Sequence, residues 1–466
     1  GAGEAGALLS KSILNDKRFN LVGFIDDDKK IWGRSLNYIQ IYSPGVLKKN
    51  RFNIQKVFLA IPSLDNKRKR DIISEIKFMG YEILQVPSIS EISSGICTIN
   101  DLRPIPLEQL IGREEVNMDL ENIRKLIQNE IICITGAGGS IGSEISRQIL
   151  SLKPKKLILI EMSEPSLYSI KRELDGINKL KIPIKAILND LSNQDIIEKI
   201  IFENTVNRIF HCAAYKHVPL VESNPLAGLS NNVISTFLLC KAAIKQNVGQ
   251  LILISTDKAV RPSNIMGASK RIAEMVVQSF SNQEQSTIFS MVRFGNVIGS
   301  SGSVVPLFLE QIKNRSPLTI TDENMTRYFM TIKEAASLVI QTIQYAKGGE
   351  LFLLDMGKPK KIIDLAHQMI KLSGLKVRDN NNKNGDIEIK ITGCRKGEKL
   401  YEELLIDAKC EATPHPRIFK ANEKIVSEKF IFNSIEKLQL ALEKYDDHSA
   451  IKITSDLVPE WENNMS

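Results

Sequence analysis

Four consecutive residues, Ser255, Thr256, Asp257 and Lys258, combine two hydroxyls, a carboxyl and an amine directly after the apolar run Leu251–Ile254. A short apolar run of this kind reads as a buried parallel strand, and ligands of open α/β sheets bind beyond the carboxyl ends of such strands. At that place an acid beside an amine forms a compact acid–base set; the bland alternative is a surface ion pair. Met266 and Lys270 follow one helical turn apart on the next predicted helix. Upstream, the run ending at His211 continues HCAAYKHVP, where Ala213 and Ala214 are small enough for a flat ligand to lie against the backbone. Lys216 and His217 then line the same strand end.

A second group has the spacing of a phosphate cradle. Ile131–Ile134 reads as a buried strand that breaks at Gly136 and resumes as a helix with Ile145 and Ile149 on one face. Between them Gly136, Gly138, Gly139, Ser140, Ile141 and Gly142 make a turn whose backbone N–H groups a dinucleotide pyrophosphate could approach at a helix N-terminus. A ligand-free structural turn looks similar, but the next apolar run ends in an acid, Glu161, placed to accept from the adenosine ribose hydroxyls. An acid there repels a 2′-phosphate, which favours NAD over NADP. Asp190, after the third run, either meets the adenine edge or caps the helix starting near Asn193.

The elements that must position these groups alternate strand and helix. Runs at 131–135, 156–161, 183–188, 208–212, 250–255 and 287–293 predict six parallel strands over residues 130–293, a dinucleotide-binding sheet inside a catalytic domain at 113–430. Residues 294–430 are loop-rich and would supply the substrate half of a cleft; 431–466 would be a separate helical segment for packing or self-association. Residues 1–112 predict a smaller domain of the same α/β kind, with the glycine motif GAGEAG, strands at 19–25, 56–61 and 81–86 and a helix at 67–79. Its role, ligand binding or purely structural, is open. The fold class is therefore α/β with two doubly wound, Rossmann-like domains. The net charge of +8 comes from 62 basic and 54 acidic residues without a basic block, which argues against nucleic acid. Six cysteines without a CxxC pair and five histidines without ligand spacing predict free thiols and no metal site. No apolar run of about 18 residues predicts a membrane span.

In order, GAGGSIG, HCAAYKHVP, NVIST, STDK, MGASK, RFGNVIGSSGSVVPLF and RKGEKLYEE resemble the extended short-chain dehydrogenase/reductase family. More narrowly they resemble the UDP-N-acetylglucosamine 4,6-dehydratases of bacterial capsule, O-antigen and glycan biosynthesis, and the GFIDDD turn extends the likeness through the first domain. The resemblance implies a redox-neutral dehydration on NAD: oxidation at sugar carbon 4, loss of the carbon 5 proton, departure of the carbon 6 hydroxyl, and return of hydride to carbon 6. It implies that Thr256 bonds the carbon 4 oxygen, that Asp257 protonates the departing hydroxyl and that Lys258 is the base at carbon 5, which requires a lowered pKa. Lys270 would bind the nicotinamide ribose and Asn232 would belong to the cofactor site. Arg293, Asn296, Ser301, Arg327, Arg395 and Glu398 match positions around the nucleotide sugar, the arginines suiting a diphosphate.

The wider family has tyrosine where this chain has Met266, which leaves the proton acceptor at carbon 4 open among Asp257, Thr256 through water, and Lys270. Methionine as core filler would instead favour a binding scaffold without turnover; a nucleotide-sugar 4-epimerase is the other rival. Larger members carry N-terminal membrane helices, so the resemblance also implies a homo-oligomer, membrane contact through a region ahead of Gly1 and a place on the cytoplasmic face of the inner membrane, with the present portion soluble.

Overall fold

The computed structural model describes residues 1–14, 19–48, 120–283 and 286–461, with interruptions at 374, 381, 396, 406–409, 422 and 424–425, and scattered parts of 52–104. The expected connection at 96–112, apart from the strand Arg103–Pro104, and parts of the helix at 67–79 lie outside the described residues. The chain forms two compact units: Gly1–Glu114 with Phe308–Ile320 and Ile363–Lys390, and Glu115–Leu307 with Thr321–Ile362 and Ile391–Ser466.

The larger unit is built on a nine-stranded sheet. Its strands are β1 (Ile131–Thr135), β2 (Lys156–Glu161), β3 (Ile184–Leu188), β4 (Arg208–His211), β5 (Gln250–Ile254), β6 (Ile288–Arg293), β7 (Glu350–Leu354), β8 (Cys410–Ala412) and β9 (Ile418–Ala421). The spatial order is 8-9-7-6-5-4-1-2-3, with β1 to β7 parallel and the β9 and β8 pairings antiparallel. The chain reverses direction across the sheet between β1 and β4, the crevice where doubly wound sheets bind ligands. Six parallel strands were expected, and β7 is a seventh.

These strands are apolar on both faces because helices cover both. Cys133, Ile209, Leu251, Leu253 and Met291 enter one core cluster, while their chain neighbours Ile132, Ile134, Phe210, Ile252 and Val292 enter the other. On the first face lie α1 (Ser235–Lys245), α2 (Ile265–Ser281) and α3 (Glu428–Glu443). From the expected C-terminal segment at 431–466, Ile431, Ile435, Leu438, Ala450 and Leu457 are buried in that same core. The described helical run Pro225–Lys245 has membrane-spanning length and hydropathy, but 72% of it is buried, as a core helix would be.

In the N-terminal part of the smaller unit, helix Glu4–Leu14 precedes two short sheets. Phe24–Ile25 pairs in parallel with Ile39–Tyr42, and Lys56–Leu59 with Glu82–Gln85. The strand expected at 19–25 is confined to Phe24–Ile25, because only there does a partner complete the ladder. A cavity of about 600 Å³ is lined by both sheets and the helix, including Ile13, Leu21, Phe24, Phe58 and Ala60.

Candidate active site

Parallel pairing sets the strand ends level. Thr135 stands opposite His211, and His211 opposite Leu253, so the segments after β1, β4 and β5 emerge side by side. The turn after β1 is held open by glycine. Gly136 has φ +63°, and a Cβ there would lie 2.6 Å from the Ala213 nitrogen; a Cβ on Gly142 would lie 2.1 Å from the Gly136 oxygen. The helix that follows, Ser140–Ser151, has Gly139 at its N-cap and no capping side chain, so its first N–H groups are left for an anion. Glu161 accepts from Gly138 N–H at 3.0 Å with one oxygen and from Met162 and Ser163 N–H with the other. The carboxylate therefore fixes the turn as well as marking the strand end. The loop carrying Ser301 lies across this turn: its N–H donates to the Ser140 hydroxyl at 3.3 Å and its carbonyl accepts from Lys216 Nζ at 3.0 Å. The His217 ring packs on Gly302, where a Cβ would meet it at 2.3 Å.

Behind the β4 end runs a buried polar chain. The Ala213 N–H reaches the Thr135 hydroxyl, which contacts His211 Nδ1 at 2.7 Å; His211 Nε2 contacts the Thr236 hydroxyl at 2.9 Å, and that hydroxyl donates to the Asn232 carbonyl. Since Thr236 gives its proton away, the His211 proton resides on Nε2. Burial, with Lys270 nearby, pushes the imidazole down to about 3, so it is neutral.

At the end of β5, Thr256 caps a short turn and donates to Asp257 Oδ1 at 3.0 Å. Asp257 is fully buried, and its Oδ2 has no hydrogen-bond partner among the described residues. Gly295 gives that oxygen room, since a Cβ there would come within 2.9 Å of it. A buried carboxylate oxygen without a partner is costly in a folded protein unless an ordered water, an ion or a bound group completes it. Lys258 Nζ donates to Asp257 Oδ1 at 2.9 Å and to Asn296 Oδ1 at 3.0 Å, and it stands 3.7 Å from Glu402. Burial pulls the Lys258 amine down, but the charges of Asp257 and Glu402 outweigh it and hold the group above its usual range. Glu402 in turn lies 3.8 Å from Arg327 Nε, has a buried Oε2 without a hydrogen-bond partner among the described residues, and is pushed up mainly by burial against the pull of Lys258 and Arg327. Arg327 also donates to the Thr326 and Leu400 carbonyls and lies 3.8 Å from Glu398. Glu398 accepts from the Arg395 N–H, while Arg395 itself is exposed. On α2, Lys270 donates to the Ile254 carbonyl at 2.7 Å, and burial lowers it to about 8.

This arrangement has known relatives. The family model described as polysaccharide biosynthesis protein matches residues 132–423. The chain belongs to that family. It is 44% identical over 413 residues to the capsular polysaccharide biosynthesis protein CapD of Staphylococcus aureus, covering 87% of this chain and 67% of that one. A UDP-glucose 4-epimerase of Rickettsia bellii is 32% identical over 346 residues, covering 72% of this chain and 96% of the epimerase. Among solved structures, Pen from Bacillus thuringiensis matches with a TM-score of 0.56 and 31% identity, over 66% of this chain and 99% of that chain. Its relatives thus include both a capsular polysaccharide biosynthesis protein and a UDP-glucose 4-epimerase.

Within this family member, Thr256, Asp257, Lys258, Asn296, Arg327 and Glu398 form one connected constellation, and the glycine turn with Glu161, Lys216, His217 and Ser301 forms another. Four expectations need correction. Arg293 is fully buried, and all five of its N–H donors are engaged by Glu274, Glu423 and the Leu404 carbonyl, leaving none for a diphosphate. Asn232, in a single π turn at Ser230–Ile234, spends its amide on Tyr215 and Ser269, so that in this structure it shapes the loop beside the glycine turn. Asp190 caps no helix, because Asn193 is the N-cap; Asp190 is held below the usual carboxylate range, mainly by the Ser192 hydroxyl. Met266 is 2% exposed inside the core cluster, which is core packing. The lowered pKa expected of Lys258 is also absent from the site as it stands. Glu402 was missed by the sequence argument, although it belongs to the RKGEKLYEE segment.

Proposed function

We propose that the protein binds NAD and a UDP-linked N-acetylhexosamine and catalyses 4,6-dehydration of UDP-N-acetylglucosamine for surface polysaccharide or glycan biosynthesis. The observation that carries this is the buried Asp257–Lys258 pair at the β5 end, with one carboxylate oxygen unpartnered among the described residues. An epimerase has no leaving hydroxyl to protonate, whereas a dehydratase needs both an acid and a base. The residues around the glycine turn fit NAD: an uncapped helix N-terminus for the pyrophosphate, Glu161 at the strand end for the ribose hydroxyls, and Lys270 beside the Ile254 carbonyl for the second ribose. When bound, that cofactor supplies a hydride acceptor and donor.

The chain's own groups do the rest. Thr256 orients the carbon 4 oxygen and passes its proton toward Asp257, to which it already donates. Lys258 takes the proton from carbon 5 and later returns it. Asp257 gives a proton to the hydroxyl leaving carbon 6. Lys216, Ser301, Arg395 and Arg327 line the sugar-nucleotide side, with Arg327 arranging Glu398 and Glu402. Such a cycle needs no tyrosine at the Met266 position, provided Asp257 is ionised when carbon 4 is oxidised.

Purified protein incubated with UDP-N-acetylglucosamine tests the proposal by mass spectrometry: a product lighter by one water supports it. An isomer of unchanged mass would establish the epimerase, and binding without conversion a scaffold. Asp257→Ala is expected to lower dehydration about 1,000-fold, in the range of a lost general acid; an undiminished rate would remove Asp257 from the mechanism.

A further inference from the structure

Lys258 poses a difficulty that its neighbours resolve. A base at carbon 5 must be a neutral amine, yet Lys258 sits between two carboxyl groups. Asp257 cannot be the group that relieves it of its proton. With Met266 apolar and packed in the core, Asp257 is the acceptor for the carbon 4 hydroxyl proton through Thr256, and so must begin the cycle ionised. Among the described residues, the other carboxyl group paired with Lys258 is Glu402, 3.7 Å from Nζ. Its side chain is 3% exposed, its Oε2 is buried without a hydrogen-bond partner among the described residues, and its contacts to Lys258 and Arg327, at 3.7 and 3.8 Å, are longer than hydrogen bonds. A carboxylate so poorly solvated is costly, whereas its protonated form is not.

Resting on the dehydratase reading above, we infer that Glu402 takes up the Lys258 proton once substrate covers the site, so that a neutral Lys258 and an ionised Asp257 stand side by side. The transfer is balanced: an Nζ–H bond of Lys258 breaks, an O–H bond forms on Glu402, and the ion pair becomes a neutral pair. Lys258 then accepts the carbon 5 proton, and Asp257 carries the carbon 4 hydroxyl proton to the leaving oxygen. When Lys258 returns its proton to carbon 5 it is again neutral, and Glu402 keeps its proton throughout. Glu402 acts through Lys258 and is a positioning residue for the proton, without contact to the sugar. The elevated carboxyl of Glu402, pushed up first by burial, is in line with this role.

The test is exchange of the carbon 5 hydrogen of the dehydrated product with deuterated water, followed by NMR on the full chain. Glu402→Gln keeps the size of the side chain but cannot take a proton. It is expected to slow exchange about 100-fold at pH 7, at the lower end of acid–base contributions. The loss should shrink roughly tenfold per pH unit as rising pH deprotonates Lys258, and Glu402→Asp should restore most of it. Exchange at the wild-type rate in Glu402→Gln would overturn the inference, and so would a loss equal at every pH, the mark of a structural defect. Failure of the wild-type protein to release water from UDP-N-acetylglucosamine would overturn the dehydratase reading first, before any variant is compared.

Discussion

Replacing Arg293 by methionine separates a structural arginine from a phosphate-binding one. Its guanidinium is fully buried, 2.7 Å from Glu274 and 2.7 Å from Glu423, whose side chains are 2% and 6% exposed. Removing one partner of a buried ion pair costs about 3–5 kcal/mol, because the remaining charge is stranded. Here Arg271 still reaches both acids, at 3.2 and 2.8 Å, and Ser255 donates to Glu274 at 2.6 Å. The lower end, about 3 kcal/mol, is therefore expected; at roughly 2–4 °C per kcal/mol this is a fall in melting temperature on the order of 10 °C. The effect has a sign in pH. Burial raises the Glu274 carboxyl, but Arg293 and its hydrogen bonds outweigh this and hold it below its ordinary 4.5. A depressed carboxyl contributes stability that is present above the unfolded value and is lost as pH falls through the folded one. The gap between wild type and Arg293→Met should accordingly narrow below pH 4.5. Calorimetric melting from pH 7 to 3.5, with UDP titrated into both folded proteins at pH 7, reads all of this. The reasoning is refuted if the variant melts with the wild type while its affinity for UDP collapses, for then the guanidinium serves phosphate after all.

Two further outcomes follow from the same geometry. Burial moves Lys270 from 10.5 to about 8, a cost of about 3 kcal/mol when the amine is charged, partly offset by its bond to the Ile254 carbonyl. Lys270→Met should therefore stabilise the fold by roughly 2 kcal/mol below pH 8 while abolishing turnover, with the gain fading as pH rises from 8 to 10.5 because the unfolded wild type then loses its proton too; denaturant titrations at pH 7 and 10 decide it, and a less stable variant at pH 7 would contradict it. In the glycine turn, Gly142→Ala drives a Cβ to 2.1 Å from the Gly136 oxygen, whereas Gly139→Ala meets the same atom at 3.2 Å. NADH fluorescence titration should show an affinity loss on the order of 100-fold for the first and a few-fold at most for the second, and the reverse order would show that the turn is not the cofactor cradle.

What could be read in the chain beforehand was what is local in sequence. Ile131–Thr135, the glycines and Glu161 occur within one strand–turn–helix–strand passage, and Thr256, Asp257 and Lys258 are consecutive, so their joint placement needed only the recognition that a strand precedes them. Glu350–Leu354 was equally local, an apolar run after two glycines, and was passed over in a stretch that looked loop-rich. Arg293 and Glu402 were misjudged for a different reason: their partners are remote. Glu274 and Glu423 reach Arg293 from α2 and from beyond β9, and Glu402 comes from a segment so rich in charge that it suggests solvent. One signal was available for the first. Glu274 interrupts Ile272, Ala273, Met275, Val276 and Val277 on a helix buried nearly all round, and an acid there must find a buried cation. Nothing comparable marked Glu402, since Glu403 beside it is ordinary surface charge and differs only in which way the chain turns. The same remoteness explains the opposite fates of two arginines expected to hold phosphate. Arg293 ends a strand whose loop is roofed by Glu423, whereas Arg395 lies on an exposed segment, so burial, and not residue type, decides which is available to a ligand.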